Sequence, residues 1–150
     1  MKLETYQYTE KSGWDVPPDS TLDSVQTVLL FFGSPNSPAI EPQLQALRKT
    51  FPQSFFLGCS SAGEIFADDV YDNSISLSVI QFENTALQLA TQTISAASDS
   101  FRAGVDIAKS LSRDDLCFVL VLSDGLAVNG SRLIAGLAEN LSDQVIITGG

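Results

Sequence analysis

The sequence predicts an α/β fold: a mixed, largely parallel sheet flanked by helices, with an antiparallel hairpin. Three observations carry that reading. Residues 27–32 (TVLLFF) and 116–122 (LCFVLVL) are uninterrupted apolar runs, and residues 55–59 (FFLGC) and 145–148 (VIIT) are shorter ones. Runs of this kind imply strands buried on both faces, as in a sheet sandwiched between helices. Residues 73–82 (NSISLSVIQF) instead alternate serine with Ile75, Leu77 and Val79, which is the pattern of a half-exposed strand. Between these segments, apolar residues recur at helical spacing.

Taken in order, residues 3–9 form a candidate edge strand, and residues 12–24, broken by Pro17-Pro18, read as a loop. After the strand at 27–32, Ile40, Leu44, Leu47 and Phe51 share one helix face that Pro52 ends. Pro38 and Pro42 each suit a first helical turn, so the start of this helix stays open between them. The strand at 73–82 is followed by Glu83-Asn84 and by residues 85–94, which predicts a hairpin between the two segments. A second helix is expected over 98–112 with Phe101, Val105, Ala108 and Leu111 inward. A third begins after the cap residue Asn129 and buries Leu133, Ile134, Leu137 and Leu141. The run at 116–122 is expected at the centre of the sheet.

Composition narrows the function. The chain has 150 residues, enough for one core, and the whole reads as a single domain. Its net charge of −10 repels phosphate backbones and anionic lipid, so neither nucleic acid nor a membrane is an expected partner. No apolar run reaches the roughly 18–20 residues of a spanning helix, and the N-terminus lacks the apolar segment of a secretory signal. Two cysteines, Cys59 and Cys117, without an export signal fit a reduced, cytoplasmic setting. Histidine is absent. Ser-His-Asp and Cys-His catalysis therefore cannot be built from these residues, and neither can a His-ligated metal or haem site. No cofactor, no metal and no catalytic residue is expected.

The segment GCSSAGEIF, residues 58–66, is the most unusual one. It is one of four strand ends rich in small or polar residues, with Gly33-Ser34, Ser123-Asp124-Gly125 and Thr148-Gly149-Gly150. Open α/β sheets bind ligands at such an edge, where glycines admit close approach and free N–H groups favour anions. The binding residues expected there are Ser60, Ser61, Gly63, Glu64, Asp124, Gly125 and Asn129, lining one shared cleft. Backbone N–H groups would meet a carboxylate, and Asp124 and Glu64 an ammonium. Each has a plainer alternative: the glycines as turn residues, Cys59 as a small core residue, Asp124 as the cap of its own turn. Asp68, Asp69 and Asp72 spell D-D-x-x-D, yet they precede an alternating strand rather than stacking along a helix, and are expected to be solvated.

GCSSAGE after an apolar strand resembles the G-C-[ST]-[ST]-x-G-E segment of the FIST N-terminal domain family. Residues 122–126 (LSDGL), the Asn129-Gly130 helix start and the terminal ITGG are similar to that family's other landmarks, in the same order, from about Val28 to Gly150. The resemblance implies a non-catalytic sensory domain in signal transduction that binds a small polar ligand, an amino acid in particular. It also implies as partners a FIST C-terminal domain and a signalling output, hence a chain that continues beyond Gly150. Some family members resemble haem-holding gas sensors, a role that needs a histidine this sequence lacks. Two other readings stand beside it: an enzyme completed by a further domain, and a structural interaction module.

Overall fold

The computed structural model describes residues 1–35, 37–111 and 113–150. The chain divides into two compact units, Met1–Leu87 and Gln88–Gly150. Among the described residues no helix is long and apolar enough to cross a membrane.

The first unit is built on a five-stranded mixed sheet. Its strands are β1 (Lys2–Thr9), β2 (Gly13–Trp14), β3 (Thr27–Gly33), β4 (Phe55–Ser60) and, after the short ribbon of β5 (Glu64–Phe66) and β6 (Asp69–Tyr71), β7 (Ser74–Gln81). The order across the sheet is β2-β1-β7-β3-β4. Only β3 and β4 run parallel, joined through helix α1 (Ile40–Thr50); the other pairs are antiparallel. The mixed α/β class holds, but within this sheet antiparallel pairing dominates over the parallel pairing expected. The reason lies in the connections. A parallel neighbour needs a long crossover, and β7 returns from β4 through a short ribbon instead of a helix.

β7 is the centre of the sheet. Leu77 faces Tyr6 of β1 on one side and Phe31 of β3 on the other. Ile75, Leu77 and Val79 have no exposed surface and pack with Leu29, Leu47 and Phe51. The alternation was read correctly, but its partner was not. Residues 85–94 form no strand, so the predicted hairpin is absent, and β1 and β3 take its place. The loop 12–24 is pinned rather than free: Asp19 N–H donates to the Tyr6 hydroxyl at 3.1 Å, and Trp14 Nε1–H to Gln43 Oε1 on α1 at 3.0 Å.

The second unit contains helix α2 (Ser100–Leu111), strand β8 (Phe118–Val121), helix α3 (Gly130–Ala138) and strand β9 (Ile146–Gly149). β8 and β9 pair in parallel, with α3 as their crossover. The apolar run at 116–122 is thus one of two strands and not a central one. Val119 is buried, whereas Phe118 on the other face is 52% exposed. An uninterrupted apolar run does not by itself say which face is covered.

The helix faces match the predicted ones in part: Ala108 and Leu111 of α2 and Leu133 and Leu137 of α3 are buried as expected, but other positions differ. α2 buries Ser100, Ala103, Gly104, Ala108 and Leu111, with Phe101 and Val105 only half-buried; Ser112 lies outside the described residues. α3 buries Leu133, Gly136 and Leu137 and leaves Ile134 exposed, while Leu141, past the helix end, still packs against the core. The cause is a close crossing. A Cβ on Gly104 would stand 2.3 Å from the Leu133 carbonyl oxygen, and one on Gly136 would stand 2.2 Å from that of Phe101. Two missing side chains let the backbones approach, so Gly104 and Gly136 share the buried faces with Leu133 and Leu137, while Ile134 lies outside them.

Candidate functional site

The C-terminal ends of β3 and β4 lie side by side, with Gly33 opposite Ser60. The first turn of α1 stands beside them, and the space between is a cleft of about 310 Å³. Two glycines let apolar side chains of the floor lie close against the strands. The Phe31 ring lies against Gly58, where an added Cβ would come within 2.6 Å of the ring, and Ile40 Cδ1 occupies the space beside Gly33. The floor is apolar, made by Phe31, Ile40 and Leu44. The rim is polar, made by Ser34, Ser37, Glu41 and Ser60, with Cys59 at the strand end. This placement also explains why Ile40 and Leu44 are only half-buried although they lie on the core-facing stripe of α1.

Electrostatically the cleft is one-sided. Among the described residues no lysine or arginine lines it, whereas Glu41 does. A second carboxylate, Glu10, accepts the Ser37 hydroxyl from just behind the rim. Ser60 is exposed at the end of β4. α1 has no side-chain cap on its first turn, since Ala39 holds that position. The Ser37 hydroxyl accepts from Ala39 N–H at 3.3 Å instead. The arrangement suits a ligand small enough for about 310 Å³ that presents a cation to the Glu41 carboxylate and an apolar part to the floor.

Of the residues predicted from sequence, Ser60, Ser61, Gly63 and Glu64 belong to the first unit, and Asp124, Gly125 and Asn129 to the second. Ser60 lines the cleft and Ser61 follows it. Gly63 sits against Val70 of the ribbon. Glu64 is 1% exposed, and its carboxylate is occupied by Ser61 and Ser74. In the second unit, Asp124 Oδ1 accepts from Leu126 N–H at 2.8 Å and Ala127 N–H at 3.1 Å, which makes it the cap of its own turn. Gly125 has open space around it. Asn129 caps α3 by accepting from Arg132 N–H at 3.1 Å, as its position before the helix predicted.

Sequence reading missed Glu41, Ser37, Ile40 and Leu44 as cleft residues. A signal existed: the Gly33-Ser34 strand end had been singled out, and the chain after it enters a helix carrying an acid in its first turn. The uncertain start between Pro38 and Pro42 hid it. Ala39 precedes the first helical residue, so Pro42 lies inside the first turn. The aspartates 68, 69 and 72 are exposed on the ribbon, two of them flanking β6 rather than forming a loop. Cys59 is a half-buried and Cys117 an exposed free thiol.

Comparison with known proteins adds one match. The model of the FIST N domain, a family of sensory and signal-transduction domains, matches residues 27–150, beginning at the first residue of β3. Searches of curated proteins and of solved structures gave no significant match.

Proposed function

The chain belongs to the FIST N domain family, and from that premise we propose that it is a non-catalytic sensory domain whose ligand is a small ammonium-bearing metabolite of the amino-acid type. The observation that carries the proposal is the cleft at the ends of β3 and β4, which has an apolar floor, a carboxylate at Glu41 and, among the described residues, no cationic side chain. Glu41 accepts the ligand's ammonium group. The exposed Ser60 hydroxyl and the positive end of α1 receive its carboxylate. The side chain lies over Phe31 and Leu44. A charge-assisted contact of this kind contributes about 1.5–3 kcal/mol.

The test is calorimetric titration of the full chain with the twenty protein amino acids. One or a few should bind, and Glu41→Gln should weaken that binding about tenfold or more, since tenfold corresponds to ~1.4 kcal/mol. Absence of binding by every member, or undiminished affinity in the variant, refutes the assignment. Signal output to a partner, a FIST C-terminal domain among the candidates, and a cytoplasmic setting follow from the same reading and stand with it.

A further inference from the structure

The structure assigns to Glu64 the role of a positioning residue that braces the wall of this cleft; the inference rests on the cleft reading above. Glu64 opens the β5–β6 ribbon and is almost wholly enclosed, at 1% exposure. Its Oε1 accepts the Ser61 hydroxyl at 2.9 Å. Its Oε2 accepts the Ser74 hydroxyl at 2.8 Å and the Ser74 N–H at 3.3 Å. Among the described residues it has no ion-pair partner. Burying a carboxylate without a counter-charge is costly, and three donors are what offset that cost here.

Those donors complete a ring. Ser61 N–H donates to the Gly33 carbonyl at 3.1 Å, and Ser34 N–H donates to the Ser74 carbonyl at 3.3 Å. From Gly33 the path runs through Ser61, Glu64 and Ser74 and returns to Ser34, the next residue in the chain. Three backbone stretches that are distant in sequence are thereby held in one register. Two of them, 33–34 and 60–61, carry the polar rim of the cleft. Filling the same space with an apolar side chain would satisfy packing but would leave the Ser61 and Ser74 hydroxyls without this acceptor and the 60–61 segment held only by its bonds to β3. The carboxylate therefore fixes where Ser60 and Ser34 stand relative to a ligand, without touching the ligand itself.

The experiment compares the full native chain with Glu64→Ala and Glu64→Gln by residue-resolved amide hydrogen exchange and by titration with the twenty amino acids. Glu64→Ala should speed exchange at the Ser61 and Ser34 amides at least tenfold while leaving the Leu77 amide in the sheet centre unchanged. It should also weaken binding tenfold or more. Glu64→Gln retains length and one acceptor oxygen and should fall between the two. If Glu64→Ala does not fold, Ser61→Ala, which removes one donor only, should still accelerate exchange several-fold at residue 61. Unchanged exchange at residues 34 and 61 overturns the bracing role, as does faster exchange with undiminished binding. If the native chain binds no amino acid, the ligand reading fails, and the exchange rates alone still decide whether Glu64 holds the wall.

Discussion

In the first unit the core is made of Leu29, Phe51, Leu77 and Val79, wide side chains that fill the space between a sheet and a helix. In the second, Leu133 and Leu137 pack with Ala103 and Ala108, but α2 and α3 cross where Gly104 and Gly136 let the two backbones approach, so that a Cβ added to either would meet the facing backbone. Both solutions bury apolar surface, but they respond to opposite perturbations. A core of large side chains loses stability when atoms are removed, because a cavity is left behind. A crossing made by glycines loses it when atoms are added, because the backbone cannot give way.

The largest expected effect tests the first half of this contrast. Phe51→Ala should cost about 3–5 kcal/mol. Trp14, the chain's single tryptophan, lies in the first unit, so its fluorescence during urea unfolding reports the loss there. An unmoved midpoint would mean that Phe51 is not part of what holds the sheet to its helix. Next comes Gly136→Ala, one added carbon aimed at the Phe101 carbonyl oxygen, expected to cost about 1–3 kcal/mol. It should shift the helical circular dichroism and leave the tryptophan transition in place. If the variant is as stable as the native chain, the distinction between the two kinds of core collapses.

The smallest effect sharpens the comparison by showing what does not separate the units. Asp19 in the first is held below the ordinary aspartate range, chiefly by the Thr21 N–H and then its hydroxyl. Asp115 in the second is held below it chiefly by hydrogen bonding to the Arg113 guanidinium. For a lowered carboxyl the stabilisation is present above the unfolded value, near pH ~4, and fades as pH falls through the folded one. Both groups are fully exposed, so solvent screens them. Asp19→Asn and Asp115→Asn should each lower the urea midpoint slightly at pH 7, by similar amounts, with the deficit vanishing in acid. A large loss in only one unit would show that charge, and not packing alone, distinguishes them.

Periodicity made much of this visible from sequence. β3, β4, β7 and α1 lie where the apolar runs and stripes placed them, and Asn129 and Pro52 bound their helices as residue chemistry requires. The failures are specific. Alternation at 85–94 imitates a strand, but Ile94 packs into the second core without any ladder. The ribbon strands β5 and β6 are three residues each, too short for a period to register. Gly104 and Gly136 carry no hydrophobic signal, so their place on the buried faces did not show, although Ala108, Leu111, Leu133 and Leu137 did. At the site, the GCSS strand end was legible because glycine and serine after an apolar run mark an edge. The bond from Glu64 to Ser74 spans ten residues and depends on a ribbon the sequence did not reveal, so the buried hydrogen bonds of this carboxylate were not legible.

The strand order β2-β1-β7-β3-β4 also has a consequence in time. A chain leaves the ribosome from its N-terminus, so β1 emerges before the other strands of its sheet. Its partner along the whole of its length, from Lys2 opposite Gln81 to Thr9 opposite Ser74, is β7. At about 5–20 residues per second, seconds pass between the two. Through that interval β1 has only the two-residue β2 beside it, and β3 has only β4. The sheet cannot grow strand by strand as it is made. It must wait for its middle, which arrives last, and close around it in one step. Nascent chains held at lengths short of Gln81 should therefore be open to proteases, and chains a few tens of residues longer should not.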